Sequence, residues 1–129
     1  MIEESLDRLI KNLEDSNWSI RRDSARALGE IGGECVVEPL IEALGDDDGD
    51  VREATTWALG KIGDARAVMS LIKALGDDDD PVRWGAAEAL GEIGDASAVA
   101  PLIEAMGHNL GDVRKSATEA LHKLGREIE

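Results

Sequence analysis

The sequence predicts an all-α fold, a solenoid of stacked two-helix units. Three observations predict it: a 31-residue repeat, helical spacing of apolar residues inside each period, and a scarcity of aromatic side chains. Val51-Arg52 recurs as Val82-Arg83 and Val113-Arg114, with Ile20-Arg21 ahead of them, each step being 31 residues. Repeats of this length stack supersecondary units that cannot bury their apolar faces alone. Only three aromatics occur in 129 residues, all Trp. The core must therefore be built from Leu, Ile, Val and Ala, which suits closely packed helices better than a sandwich or barrel.

Each period holds two helices. In the first type, Val51, Thr55, Ala58, Leu59 and Ile62 share one face of a 3.6-residue helix, as do Ile20, Ala27, Leu28 and Ile31 one period earlier. In the second type, Val68, Leu71, Ile72 and Leu75 do the same. Gly32, Gly63, Gly94 and Gly125 are expected to end the first helix in the left-handed conformation. Asp64 and Asp95 are placed to cap the next N-terminus. Gly45, Gly76 and Gly107 stop the second helix. Pro39 and Pro101 either sit in a short first turn or kink the helix, and the sequence leaves both open.

The predicted organisation is one solenoid over residues 1–129 with seven to eight helices: a capping helix (1–14), full repeats at 15–45, 46–76 and 77–107, and a closing half-repeat (108–129). Polar substitutions at the ends agree with capping. Asp7, Arg8 and Asn12 replace Glu38, Pro39 and Ala43; Thr118 and His122 replace Ala87 and Gly91.

The recurring string VRxxAAxALGxIGDxxAVxxLIxAL resembles the HEAT-like repeats of the phycobilin-lyase type, over about Leu6 to Gly125. The resemblance implies a right-handed α-solenoid whose first-type helices line the concave face; alone it implies no reaction. Within this family, deoxyhypusine hydroxylase carries its di-iron ligands as His-Glu pairs after the Val-Arg dipeptide. The matching positions here are Arg22-Asp23, Glu53-Ala54, Trp84-Gly85 and Lys115-Ser116, so di-iron chemistry is not expected. Lyase activity is not carried over either.

Composition narrows the partners. Acidic residues outnumber basic ones 28 to 14, a net charge of −14. Nucleic acid and anionic membranes are disfavoured, because such binding needs clustered Lys and Arg. No apolar run approaches a membrane span, and no signal peptide opens the chain, so a cytoplasmic protein is expected. The single cysteine, Cys35, excludes an internal disulfide; it reads as an exposed, incidental thiol near a helix start. His108 and His122 have no paired-ligand spacing, and a calcium loop opening at Asp46 would need an acid where Trp57 stands. Neither a metal nor a cofactor is expected.

Arg21, Arg52, Arg83 and Arg114 form a ladder, one per unit, with Asp15, Asp46 and Asp77 six residues before the first three. The expected role is an ion pair tying each loop to the helix that follows it. His108 takes the fourth aspartate position, so the last unit is expected to be the loosest.

Positions that vary between copies are free for recognition. On the first-type helices these registers hold Trp18, Arg22 and Arg26, then Glu53, Ala54, Trp57 and Lys61, then Trp84, Gly85, Glu88 and Glu92. All three tryptophans fall among them, and Trp57 and Trp84 sit on adjacent repeats about one helical turn apart. Helix axes pack roughly 8–10 Å apart, so the two indoles are expected to form one patch. Ala54 and Gly85 beside them are expected to leave room for an incoming group. The reading is a non-catalytic interaction surface anchored by Trp57 and Trp84, with Glu53, Glu88 and Glu92 favouring a basic partner. Self-association through the same patch is a subset. The alternatives are indoles that merely fill inter-helix grooves, an accessory or chaperone-like subunit of a cofactor-handling enzyme, and an engineered scaffold.

Overall fold

The computed structural model describes residues 2–107 and 112–128, and among them the chain forms eight α-helices and no strand. They are α1 (Ile2–Asn12), α2 (Trp18–Ile31), α3 (Val37–Ala43), α4 (Gly49–Ile62), α5 (Val68–Ala74), α6 (Asp80–Ile93), α7 (Val99–Gly107) and α8 (Asp112–Ile128). The expected α-solenoid is the fold observed. Its first layer is α2, α4, α6 and α8; its second is α1, α3, α5 and α7. No helix among the described residues is long and apolar enough to cross a membrane.

The core runs the length of the stack as a line of aliphatic side chains. Leu28, Leu59, Leu90 and Leu124 from the first layer meet Leu40, Leu71 and Leu102 from the second, all essentially inaccessible to water. Burying one such leucine stabilises the fold by about 1.5–3 kcal/mol.

First-layer helices pack side by side along the whole row, whereas successive second-layer helices scarcely touch one another. Rods drawn closer on one side than the other make a row that curves toward the tighter side, which puts the first layer on the inner face. The sequence motif that permits this closeness is Ala-Leu-Gly. A Cβ added to Gly29 would lie 2.7 Å from the Ala58 backbone, one on Gly60 2.9 Å from Ala89, and one on Gly91 3.0 Å from Ala120. Each glycine is the seat for the alanine of the next repeat. The equivalent of these glycines in α8 is His122, on the last first-layer helix, where no further described helix needs the seat.

The connections explain the punctuation. Gly63 and Gly94 are left-handed, with φ 77° each. The carboxylates of Asp64 and Asp95 then accept the N–H of Arg66 and Ser97, capping a single 3₁₀ turn that feeds α5 and α7. Pro39 and Pro101 sit in the first turn of α3 and α7, where a missing N–H breaks no helical bond.

Three expectations need correction. Gly32 is not left-handed: φ is 73° but ψ is −163°, because Gly33 (φ 97°) stands where later repeats have a capping aspartate. Gly125 does not end a helix. It lies inside α8. Finally, Ile20 and Ile31 are 38% and 52% exposed rather than core, because among the described residues no first-layer helix packs on that flank of α2. Val51 and Val82, the counterparts of Ile20, have such a neighbour and are fully buried, and Ile62 and Ile93, the counterparts of Ile31, are partly buried.

The arginine ladder is also built differently. Arg21 Nη1 donates to the main-chain carbonyl of Asp15 at 2.7 Å, six residues back. Its carboxylate partner is Asp46 of the following repeat, bound bidentately at 2.8 and 3.1 Å. Arg52 repeats the pattern with the Asp46 carbonyl (2.6 Å) and the Asp77 carboxylate (2.9 and 3.1 Å). Arg83 takes the Asp77 carbonyl and pairs with Asp80 on its own helix, and its buried Nε has no partner among the described residues. The residue 25 positions after Arg83 is His108, which with the Arg114 side chain lies outside the described residues. The ion pairs of Arg21 and Arg52 therefore tie one repeat to the next instead of a loop to its own helix. The carboxylates raise the Arg21 and Arg52 pKa above the ordinary guanidinium value, chiefly through these side-chain hydrogen bonds, against a smaller opposing effect of desolvation.

Candidate partner-binding groove

Three varying registers of the first layer make a grid on the inner face. Along the stack they read Arg22, Glu53, Trp84, Lys115; then Arg26, Trp57, Glu88, Glu119; then Glu30, Lys61, Glu92, Lys123. Residues four apart stack along one helix, and equal registers are neighbours across helices. At the centre, Trp57 and Trp84 occupy one diagonal of a square and Glu53 and Glu88 the other. These four side chains line a single groove of about 360 Å³ between α4 and α6. Lys61 and Glu92 close one end and Pro81 lies at the other, with Thr56, Gly60 and Ala89 at the base.

The two indoles differ. Trp57 is 40% exposed and leans toward α2, its ring edge against Gly29. Cations already attend it: Lys61 Nζ lies 5.4 Å from the ring centroid and the Arg26 guanidinium 5.9 Å. Trp84 is half-buried against the core, and its indole N–H is buried with no acceptor among the described residues. Trp18, 41% exposed, lies apart from the groove under Arg22 at 5.0 Å, and Arg22 also pairs with Asp23.

Ala54 and Gly85 do not leave the expected room for an incoming group, although Gly85 itself lines the groove. Ala54 is fully buried. The space above Gly85 is taken: a Cβ there would meet Thr56 Oγ1 at 2.0 Å. Both small residues serve close helix packing, a signal the sequence carries equally well for either role. What the sequence reading missed is Thr56, whose hydroxyl donates to the Glu53 carbonyl at 2.6 Å and forms part of the base.

Charge in the groove is uneven. Glu92 is engaged by Lys123 of α8. Glu53 and Glu88 make no ion pair among the described residues. Other grooves lie between second-layer helices, the largest about 590 Å³ between α3 and α5. Similar hollows recur between α1 and α3 and between α5 and α7, so they belong to the repeat. Among the described residues, the tryptophan groove is lined at registers that vary between copies.

Elsewhere, Cys35 is exposed, as its register implies. No group of three His, Cys, Asp or Glu side chains among the described residues is placed to hold a metal. The loop aspartates are committed to the backbone: Asp46 and Asp77 accept the N–H of Asp48 and Asp79, and Asp48 caps α4.

HEAT repeats match residues 6–83 and 37–122, nearly the whole chain. The chain belongs to the HEAT-repeat family. The likeness to lyase-type HEAT repeats is borne out. This HEAT-repeat chain is similar to the complex of CpcE and CpcF of phycocyanin lyase from Nostoc sp. PCC7120, at 29% identity over 94% of this chain and 53% of that one, TM-score 0.85. It is similar to human deoxyhypusine hydroxylase in complex with glycerol, at 27% identity over 95% of this chain and 44% of that one, TM-score 0.83. A designed armadillo repeat protein in complex with the peptide (KR)4 shares the fold at 21% identity over 94% of this chain and 64% of that one, TM-score 0.70. The chain thus spans about half the length of the first two. No curated protein matches it by sequence. None of the His-Glu pairs expected of a deoxyhypusine hydroxylase occurs at Arg22-Asp23, Glu53-Ala54, Trp84-Gly85 or Lys115-Ser116.

Proposed function

We propose that this HEAT-repeat chain is a non-catalytic interaction module that binds another protein or a peptide in the Trp57–Trp84 groove. The observation that carries this reading is Trp84. Its half-buried indole lines the groove and leaves a donor without an acceptor among the described residues, at a cost of about 1–3 kcal/mol. Trp57 adds a large exposed ring to the same groove, and tryptophan dominates interface hot spots. Fold likeness to an armadillo design solved with a peptide agrees with a protein or peptide partner. The test is affinity capture from the source cells with the wild type, Trp57→Ala/Trp84→Ala and the second-layer control Met69→Ala. The reading requires that one identified partner, or a second copy of this chain, binds wild type and Met69→Ala and loses at least tenfold affinity for the double variant. Equal affinity for all three discards it.

A second reading is favoured by the likeness to the CpcE–CpcF complex: an accessory subunit of a cofactor-handling enzyme. Uptake of an added linear tetrapyrrole, followed by absorbance, would distinguish it from the first.

A further inference from the structure

The occupant of the groove is written in the cations the protein already places there. Lys61, one turn along α4 from Trp57, turns its ammonium onto the indole face at 5.4 Å, and no ion pair holds it among the described residues. Arg26 of the preceding repeat approaches the same ring. An indole face attracts cations through its quadrupole, and the attraction at an exposed site is weak enough to exchange. Beside that ring stand two carboxylates, Glu53 and Glu88, without ion pairs among the described residues. The third, Glu92, is engaged by Lys123. With Lys61 drawn to the rim, the interior of the groove is left net negative and walled by indoles.

We propose that the groove takes the side chain of a partner's lysine or arginine, its alkyl stem between Trp57 and Trp84 and its charged head on Glu53 and Glu88, displacing Lys61 from the indole. The inference rests on the partner-binding reading above and specifies its ligand. A neutral apolar anchor would leave both carboxylates unpaired at its edge, and an anionic one would face them directly. An alkyl stem buried beside its own charged head is the ordinary behaviour of these side chains. Lys61 is then an internal competitor: it keeps the ring occupied until a better-placed cation arrives.

The experiment uses the whole chain and five-residue peptides, acetyl-Gly-Ala-X-Ala-Gly-amide, titrated at low salt with intrinsic tryptophan fluorescence as readout. X is lysine, norleucine or glutamate, and free butylammonium is titrated alongside. The lysine peptide is expected to bind wild type, about threefold tighter to Lys61→Ala, and at least about fivefold weaker to Glu53→Gln/Glu88→Gln. Norleucine and glutamate peptides are expected to bind much more weakly. An unchanged or weakened affinity in Lys61→Ala overturns the inference, as does norleucine binding as well as lysine. Butylammonium binding as tightly as the peptide overturns the assignment to a partner chain. If no peptide binds while the capture experiment still yields a Trp57/Trp84-dependent partner, the cation site falls and the interaction surface stands.

Discussion

The Arg52 guanidinium grips the Asp77 carboxylate of the next repeat at 2.9 and 3.1 Å while its other nitrogen holds the Asp46 carbonyl of its own loop. One side chain thus joins two loops 31 residues apart, and both partners are largely shielded from water. Bidentate, charge-assisted hydrogen bonds of this kind are the strong ones. Replacing Arg52 by Ala is expected to destabilise the fold by about 2–3 kcal/mol, and Lys is expected to recover little, because a point ammonium cannot make the fork. Urea unfolding midpoints check this. A midpoint for Arg52→Lys equal to wild type would show that charge alone suffices.

The glycine seats give a prediction whose sign is diagnostic. By helix propensity alone, Gly→Ala stabilises a helix by about 1 kcal/mol. Gly125 has open space where a Cβ would go, so Gly125→Ala is expected to raise the melting temperature. Gly60 faces the Ala89 backbone at 2.9 Å, so Gly60→Ala is expected to lose about 1–3 kcal/mol as α4 and α6 are pushed apart. Thermal melts of the two variants, moving in opposite directions, are the check.

Much of this was legible beforehand. Val51, Leu59 and Leu71 announce their helices by spacing, and Gly63 followed by Asp64 announces the turn between them. The direction of the ladder was not legible, for an arithmetical reason: an aspartate stands six residues before Arg52 and another 25 after, and these add to one period. Any periodic sequence offers both partners, and only the packing of one repeat on the next chooses. The expectation of room at Ala54 and above Gly85 failed similarly. A small residue signals closeness without saying whether a helix or a ligand comes close, and here Thr56 fills the space. The exposed edge at Ile20 and Ile31 depends on which helices pack beside α2, which periodicity does not reveal.

Acid sensitivity has a predictable part. The Asp64 pKa is lowered, first by its side-chain bond to Arg66 and then by the Arg66 N–H; Asp95 is lowered by the Ser97 hydroxyl and N–H. A carboxylate whose folded pKa is depressed stabilises the fold above its unfolded value and loses that contribution as pH falls through the folded one. Asparagine caps comparably without titrating. The stability difference between wild type and Asp64→Asn/Asp95→Asn is therefore expected to shrink as pH drops from 6 toward 3, measured by urea unfolding at each pH. A constant difference would mean that these carboxylates titrate alike in both states.

Salt acts on the remaining acidity. Asp47 and Asp78 are exposed in loops, and Asp80 is exposed at the start of α6, in stretches that carry a large share of the −14 charge. Screening shortens to about 3 Å at 1 M salt, relieving their repulsion, while the shielded Arg–Asp pairs are screened less. Melting temperature is expected to rise between low and high NaCl. No change, or a fall, would mean that the ladder dominates the electrostatics.

The three indole N–H groups supply three separate resonances, one for each of Trp18, Trp57 and Trp84, in a nitrogen-15 spectrum. Titration with the lysine peptide is the most direct trial of the groove. Saturable shifts at Trp57 and Trp84 with Trp18 unmoved are predicted; movement of Trp18 alone, or three static signals at saturating peptide, would contradict the account.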